Sequence, residues 1–219
     1  MVNFKEIKFP SRLFITGIDT DAGKSYATGW IARGILNAGL EVITQKFVQT
    51  GNVDFSEDIE IHRKLMGIEY TEEDKCHLTA PEIFTYPASP DLAARIDKRE
   101  LDLKAISEAT DKLAEKYSHV IVEGAGGLMV PLIGEYLTID YIKEHNLPVV
   151  LVTNGRLGSI NHTLLSLYAL LQYGIDIFAV LYNSHFDKDA VICADTREYI
   201  QTWLSSHSPS TLFISMPSL

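Results

Sequence analysis

The 219-residue chain predicts a doubly wound α/β fold, a mainly parallel sheet with helices on both faces, in one domain over residues 1–219. Three observations lead there. Short apolar runs alternate with stretches of helical periodicity, the βαβα order of such folds. Several of those runs are apolar on both faces, as strands are when helices cover a parallel sheet from each side. A glycine-bearing segment ending in Lys24-Ser25 joins the first strand to the first helix, the context that a phosphate-binding loop requires.

The elements follow in order. Arg12 to Thr16 reads as a short buried strand, and Lys24 to about Ala38 as a helix stopped by Ala38-Gly39. Glu41 to Lys46 is a second strand, and Glu57 to Met66 a short helix. Gly67 to Pro90 shows no regular pattern and reads as a loop-rich excursion. Asp102 to Lys116 is amphipathic, with Leu103, Ile106, Ala109, Leu113 and Ala114 near one face. Val120 to Val122 is a strand that runs into Glu123-Gly124-Ala125-Gly126-Gly127. Pro148 to Val152 is a strand, Ser159 to Tyr173 a helix ended by Gly174, and Ile177 to Tyr182 a strand. Asp189 to Leu204 is a helix, and Leu212 to Ile214 a last short strand.

Composition narrows the function classes. Hydrophobic residues make up 46% and charged residues 22%, a globular balance. The formal net charge is −10, which argues against a nucleic-acid binder, since such proteins need a basic surface to displace counterions. A polybasic membrane anchor is also missing. Cys76 and Cys193 form no CxxC pair and read as two reduced thiols of a cytoplasmic protein. Residues Met1 to Lys8 do not read as a signal peptide. No apolar run approaches the ~20 residues that cross a bilayer.

The strongest motif is Thr16-Gly17-Ile18-Asp19-Thr20-Asp21-Ala22-Gly23-Lys24-Ser25. Successive backbone N–H groups and the helix N-terminus can hold phosphate oxygens. Lys24 would reach the β- and γ-phosphates, and the Ser25 hydroxyl would ligate magnesium. This makes the fold one of P-loop nucleoside-triphosphatase type. The spacing departs from the general pattern: five residues separate Gly17 from Gly23 instead of four, with Ile18 where the first glycine would stand. The alternative is an ordinary strand-to-helix turn.

Three side chains extend the site. Glu123 ends an apolar strand, where a carboxylate can meet magnesium directly or through water; alone it reads equally as a surface residue. Asp58 lies in an acidic stretch after the second strand and could add a carboxylate; alone it reads as a solvated charge. Lys46 ends the second strand, and in a doubly wound sheet strand C-termini line the ligand crevice. A lysine there can neutralise charge that builds during phosphoryl transfer. Without the phosphate loop it would read as an exposed lysine.

Taken together, the segments Thr16–Ser25, Gln45-Lys-Phe-Val-Gln-Thr-Gly51, Asp58, Pro87-Ala-Ser-Pro90, Val122-Glu-Gly-Ala-Gly-Gly127 and Leu157-Gly-Ser-Ile-Asn-His162 resemble the dethiobiotin synthetase family in order and separation. The five-residue glycine spacing is normal for that family. The resemblance implies an ATP- and Mg2+-dependent enzyme of biotin biosynthesis. It would carboxylate 7,8-diaminopelargonate with CO2 and close a ureido ring through a carbamate and a carbamic-phosphoric anhydride. It further implies a cytoplasmic homodimer.

The same resemblance implies residue roles. Lys46 and Lys24 would be catalytic, and Ser25, Asp58 and Glu123 would hold magnesium. Asp21, Ala22, Gly23, Lys24, Ser25, Tyr26, Asp58, Glu123, Gly124, Ala125, Gly126 and Asn183 would meet the nucleotide. Thr20, Lys46, Thr50, Gly126, Gly127, Leu157, Gly158 and Asn161 would meet the diamino acid, with Leu157 to Asn161 reaching it across the dimer interface. The seven histidines are scattered without HExxH spacing and read as structural or exposed.

Departures from the family pattern are visible. Phe47 replaces a proline common after the catalytic lysine, and Arg156 stands where lysine is expected. The chain ends at Leu219, where many members continue with a segment around the base; ATP is the default nucleotide, and weaker discrimination against other triphosphates is the alternative. A rival reading is a regulatory partitioning-type ATPase, which shares the fold. Such proteins carry a lysine five positions before the loop lysine, where this chain has Asp19. Amidoligases of the cobyrinate diamide synthase kind need a glutaminase domain, for which 219 residues leave little room.

Overall fold

The computed structural model describes residues 2–219. The strands are β1 (Arg12–Gly17), β2 (Val42–Lys46), β3 (Gln49–Thr50), β4 (Ile83–Phe84), β5 (His119–Glu123), β6 (Pro131–Ile133), β7 (Tyr136–Leu137), β8 (Val149–Asn154), β9 (Ile177–Asn183) and β10 (Leu212–Met216). The helices are α1 (Lys24–Asn37), α2 (Glu57–Met66), α3 (Glu72–Lys75), α4 (Pro90–Asp97), α5 (Leu103–Lys116), α6 (Thr138–Glu144), α7 (Ser159–Tyr173) and α8 (Ala190–His207).

Six strands form the central sheet in the order β10-β9-β8-β1-β5-β2. Every neighbouring pair in it is parallel. Alternate side chains of a strand face opposite sides, and the core divides accordingly. Phe14, Val120, Val122, Val149 and Leu151 pack against α5, α6, α7 and α8 through Leu113, Ile142, Leu167 and Ile200. Leu13, Ile15, Ile121, Val150 and Val152 pack on the other face against Ile31 and Ile35 of α1 and Met66 of α2. Each fully buried aliphatic side chain contributes about 1.5–3 kcal/mol.

Because the strands are parallel, their C-terminal ends share one edge. That edge carries the glycine loop after β1, Lys46 of β2, Glu123 of β5, Asn154 of β8 and Asn183 of β9. Helix α2 reaches the same edge by lying close on α1. Gly29 makes this possible: a Cβ there would sit 2.9 Å from Leu65 Cβ and 3.2 Å from His62 Cα.

Helices α2 and α7 have the predicted limits, because Ser56 caps one and Gly67 and Gly174 stop them in left-handed conformation. The span from Gly67 to Pro90 is more ordered than expected. It holds α3, with a Thr71–Asp74 capping box, and β4, which pairs with β3. Elements of two to four residues are too short to show a period. Helices α4 and α6 and the β6–β7 pair were likewise not read from the sequence, and α8 runs on to His207. Among the described residues no helix is long and apolar enough to cross a membrane. Cys76 is exposed, Cys193 is buried, and both are free thiols.

Candidate active site

The loop after β1 folds into a single 3-10 turn, Thr20–Ala22, before α1 begins. Asp19 accepts a hydrogen bond from Thr20 N at 2.7 Å. Gly23 is left-handed (φ 90°) and no side chain caps the helix, which leaves its first N–H groups open to an anion. Lys24 folds back over the loop, its Nζ donating to Asp19 O at 3.1 Å and Thr20 O at 2.9 Å. Burial, then the nearby Lys46, lowers its pKa to about 8.

Beside the loop, Ser25 Oγ lies 2.7 Å from Asp58 Oδ1 and 2.9 Å from Glu123 Oε1. Lys46 Nζ lies 2.5 Å from Asp58 Oδ2 and 2.9 Å from Glu123 Oε1, and donates also to Gly124 O at 3.3 Å. Lys46 and Glu123 are 5% and 1% exposed, so both surface readings of these residues are excluded. Asp58 is paired rather than freely solvated. Burial opposes charge on Lys46, but the Glu123 and Asp58 carboxylates outweigh it and raise its pKa well above the usual lysine range. Burial opposes charge on Glu123 as well, yet Lys46 and a bond from His62 hold it well below the usual carboxylate range.

The donor set fits magnesium in kind: two carboxylates and a hydroxyl, all hard oxygens. Among the described residues no group of three or more His, Cys, Asp or Glu forms a metal cluster. A sparse set of this sort suits a cation that keeps waters and completes its shell with phosphate.

A cavity of 300 Å3 opens next to the loop, lined by Thr20, Asp21, Gly23, Lys24, Ser25, Tyr26, Asn183, His185, Phe186, Met216 and Leu219. Asn183 Nδ2 donates to Ala22 O at 3.2 Å, and its Oδ1 accepts from His185 N at 3.0 Å. Arg156 Nη2 donates to Asp21 O at 2.6 Å while its guanidinium stacks 4.0 Å from the Phe186 ring centre. A second groove runs from Ile18, Asp19 and Thr20 past Gly127 to Val130 and Leu165. Gly127 lines that groove; Ala125, Gly126 and Gly127 are half-buried, as is Thr50 in β3. Leu157 (89% exposed), Gly158 and Asn161 stand exposed at the start of α7 and line neither cavity.

Sequence reasoning missed several of these residues. His62 carries no spacing that sets it apart from the other histidines, yet it is fully buried with Nε2 2.6 Å from Glu123 Oε2. One signal was present: Asp58 and His62 are one helical turn apart and share a face. His185, Phe186 and the reach of Arg156 to the loop had no local signal. Phe47, the expected proline position, is explained. Its ring is buried between Phe14 and Tyr141, and its N–H donates to Glu123 O at 2.8 Å, a bond proline cannot make.

Residues 11–209 match a family model described as an AAA domain. The chain is 50% identical to ATP-dependent dethiobiotin synthetase BioD 2 of Pasteurella multocida, over 91% of this chain and 94% of that one. It is 47% identical to the Haemophilus ducreyi protein of the same name, over 93% and 97%. Among solved structures, pNOB8 ParA bound to nonspecific DNA aligns with a TM-score of 0.57 at 13% identity, over 95% of this chain and 85% of that one. At that identity the likeness is one of fold alone.

Proposed function

The chain belongs to the family of ATP-dependent dethiobiotin synthetases, and on that premise we propose how its residues close a cyclic urea on 7,8-diaminopelargonate. The observation that carries the reading is the meeting of Lys24, Ser25, Lys46, Asp58 and Glu123 beside one glycine loop. The partitioning-type alternative is not favoured, since its likeness rests on fold and the synthetase likeness on identity at half of the aligned residues.

One amine of the diamino acid takes up CO2 as a carbamate. A carbamate oxygen then attacks the γ-phosphorus of ATP, releasing ADP and forming a mixed anhydride. The second amine attacks the carbonyl carbon, phosphate leaves, and the ureido ring closes. Charge builds on the transferring group, so positioned cations do most of the work. Lys24 leaves its loop carbonyls for the phosphates. Lys46 stays an ammonium at neutral pH, because its raised pKa leaves no proton-accepting form, and so acts by charge rather than as a base. Bound Mg2+, held by Ser25, Asp58 and Glu123, would offset phosphate charge. Thr20, Thr50, Gly126 and Gly127 border the diamino acid, and Asn183 faces the base. Leu157, Gly158 and Asn161 complete the substrate site from the partner subunit of a cytoplasmic homodimer.

With diaminopelargonate, bicarbonate, magnesium and ATP, phosphate release is expected to rise at least ~10-fold on adding the diamine. The product is expected to weigh as the diamine with one carbonyl carbon bridging its nitrogens. Hydrolysis indifferent to the diamine would sink the proposal.

A pH dependence follows from Lys24. In the free protein its pKa is about 8, and a triphosphate at the loop raises it. Nucleotide binding is then strongest below that value and weakens as pH rises through it, with proton uptake on the alkaline side. Calorimetry at pH ~8.5 in buffers of different ionisation enthalpy reads this uptake; identical heats after buffer correction would contradict it.

A further inference from the structure

His62 has no role above, although it is fully buried and bonds Glu123. Its Nδ1 lies 3.0 Å from Thr44 Oγ1, and that oxygen also accepts from Arg63 Nη1 at 2.8 Å. A guanidinium only donates, so the single hydroxyl proton of Thr44 is free for His62 Nδ1. A carboxylate oxygen only accepts, so His62 Nε2, 2.6 Å from Glu123 Oε2, is the donor of that bond. Arg63 is itself fixed by Asp74 through bonds of 2.8 and 2.7 Å. The result is a buried chain from Asp74 through Arg63, Thr44 and His62 to one oxygen of Glu123. The other oxygen, Oε1, faces Ser25 and Lys46.

The geometry points to His62 as a positioning residue that reserves Oε2 and so lets Glu123 offer a divalent cation only Oε1. This rests on the reading of Glu123 as a metal ligand. Its consequence is selectivity. Calcium commonly takes both oxygens of a carboxylate, whereas magnesium demands compact octahedral geometry and takes one. A Glu123 with one oxygen engaged favours magnesium-sized ions over calcium, without any change in charge.

Two amides separate the two ring nitrogens. In H62Q the side-chain nitrogen falls near the Nε2 position and can still donate to Glu123. In H62N it falls near Nδ1 and cannot reach. Mn2+ binding to the protein with a nonhydrolysable ATP analogue, followed by electron paramagnetic resonance with Ca2+ as competitor, gives both affinities. The expectation is that H62N weakens Mn2+ by ~10-fold, the low end for groups that orient metal ligands, and lowers the Mn2+/Ca2+ preference with it. H62Q is expected to stay within ~3-fold of wild type. A purely structural role would move stability in both variants and leave the preference alone. An H62N preference equal to wild type overturns the inference. E123Q is the control: if it weakens Mn2+ while H62N does not, only the role of His62 falls, whereas unchanged Mn2+ binding in E123Q removes Glu123 from the ligands. Nitrogen-15 spectra of the wild-type imidazole test the same assignment without a variant. A proton on Nε2 is expected, and an Nε2 that carries none overturns it.

Discussion

Replacing Lys46 with alanine is expected to cut turnover by about 10³-fold, the upper range for removing one preorganised charge-stabilising donor, while a nonhydrolysable ATP analogue still binds within ~3-fold. The split follows from position. Lys24 and the loop N–H groups would hold the phosphates on one side, and Lys46 stands across Asp58 and Glu123 on the other. Its charge matters most where the transferring group passes, so its loss falls on the transition state more than on the bound nucleotide. A second effect belongs to the fold. Lys46 is the ammonium between two acids, and removing one partner of a buried ion pair costs about 3–5 kcal/mol. Without metal, the alanine variant is expected to lose that much in urea unfolding. Millimolar magnesium should narrow the gap by supplying another cation to the same acids. Turnover within ~10-fold of wild type would remove Lys46 from the catalytic set. Unchanged stability without metal would remove it from the charge balance of the cluster.

How much of this was legible in the sequence depends on distance along the chain. The glycine loop is local, and its motif alone puts Lys24 and Ser25 at the start of α1. Lys46 and Glu123 were legible at one remove, since two apolar runs ending in a charge must bring those ends together once their strands are parallel. Asp58 needed more, because its contact depends on Gly29 letting α2 settle on α1. His62 comes with Asp58 on the same helix face, and its part in the site appears only when Thr44 and Arg63 surround it. The bond from Arg156 to Asp21 joins residues 135 positions apart, and no periodicity announces it. The edge elements β3, β4, β6 and β7 are two or three residues long and owe their existence to pairing rather than to pattern.

Gly23→Ala is expected to weaken nucleotide binding by ~100-fold while the sheet stays folded, and Gly39→Ala shows why the number is specific to the site. Both glycines are left-handed, with φ of 90° and 87°, so an alanine at either position meets backbone strain of about 1–2 kcal/mol. They differ in what a Cβ would touch. At Gly39 nothing lies within 4 Å, but at Gly23 the Cβ would come 2.2 Å from Asn183 Nδ2. That amide holds Ala22 O, so the clash pushes the loop away from the end of β9. The variant relieves it by moving the loop. A binding-competent loop populated ~1% of the time weakens apparent affinity ~100-fold. Gly39→Ala pays the strain at the far end of α1 and should lose stability alone. Fluorescent-nucleotide titration beside thermal unfolding of both variants reads the difference. Equal affinities in the two would mean that left-handed backbone, and not the contact with Asn183, is all that Gly23 supplies.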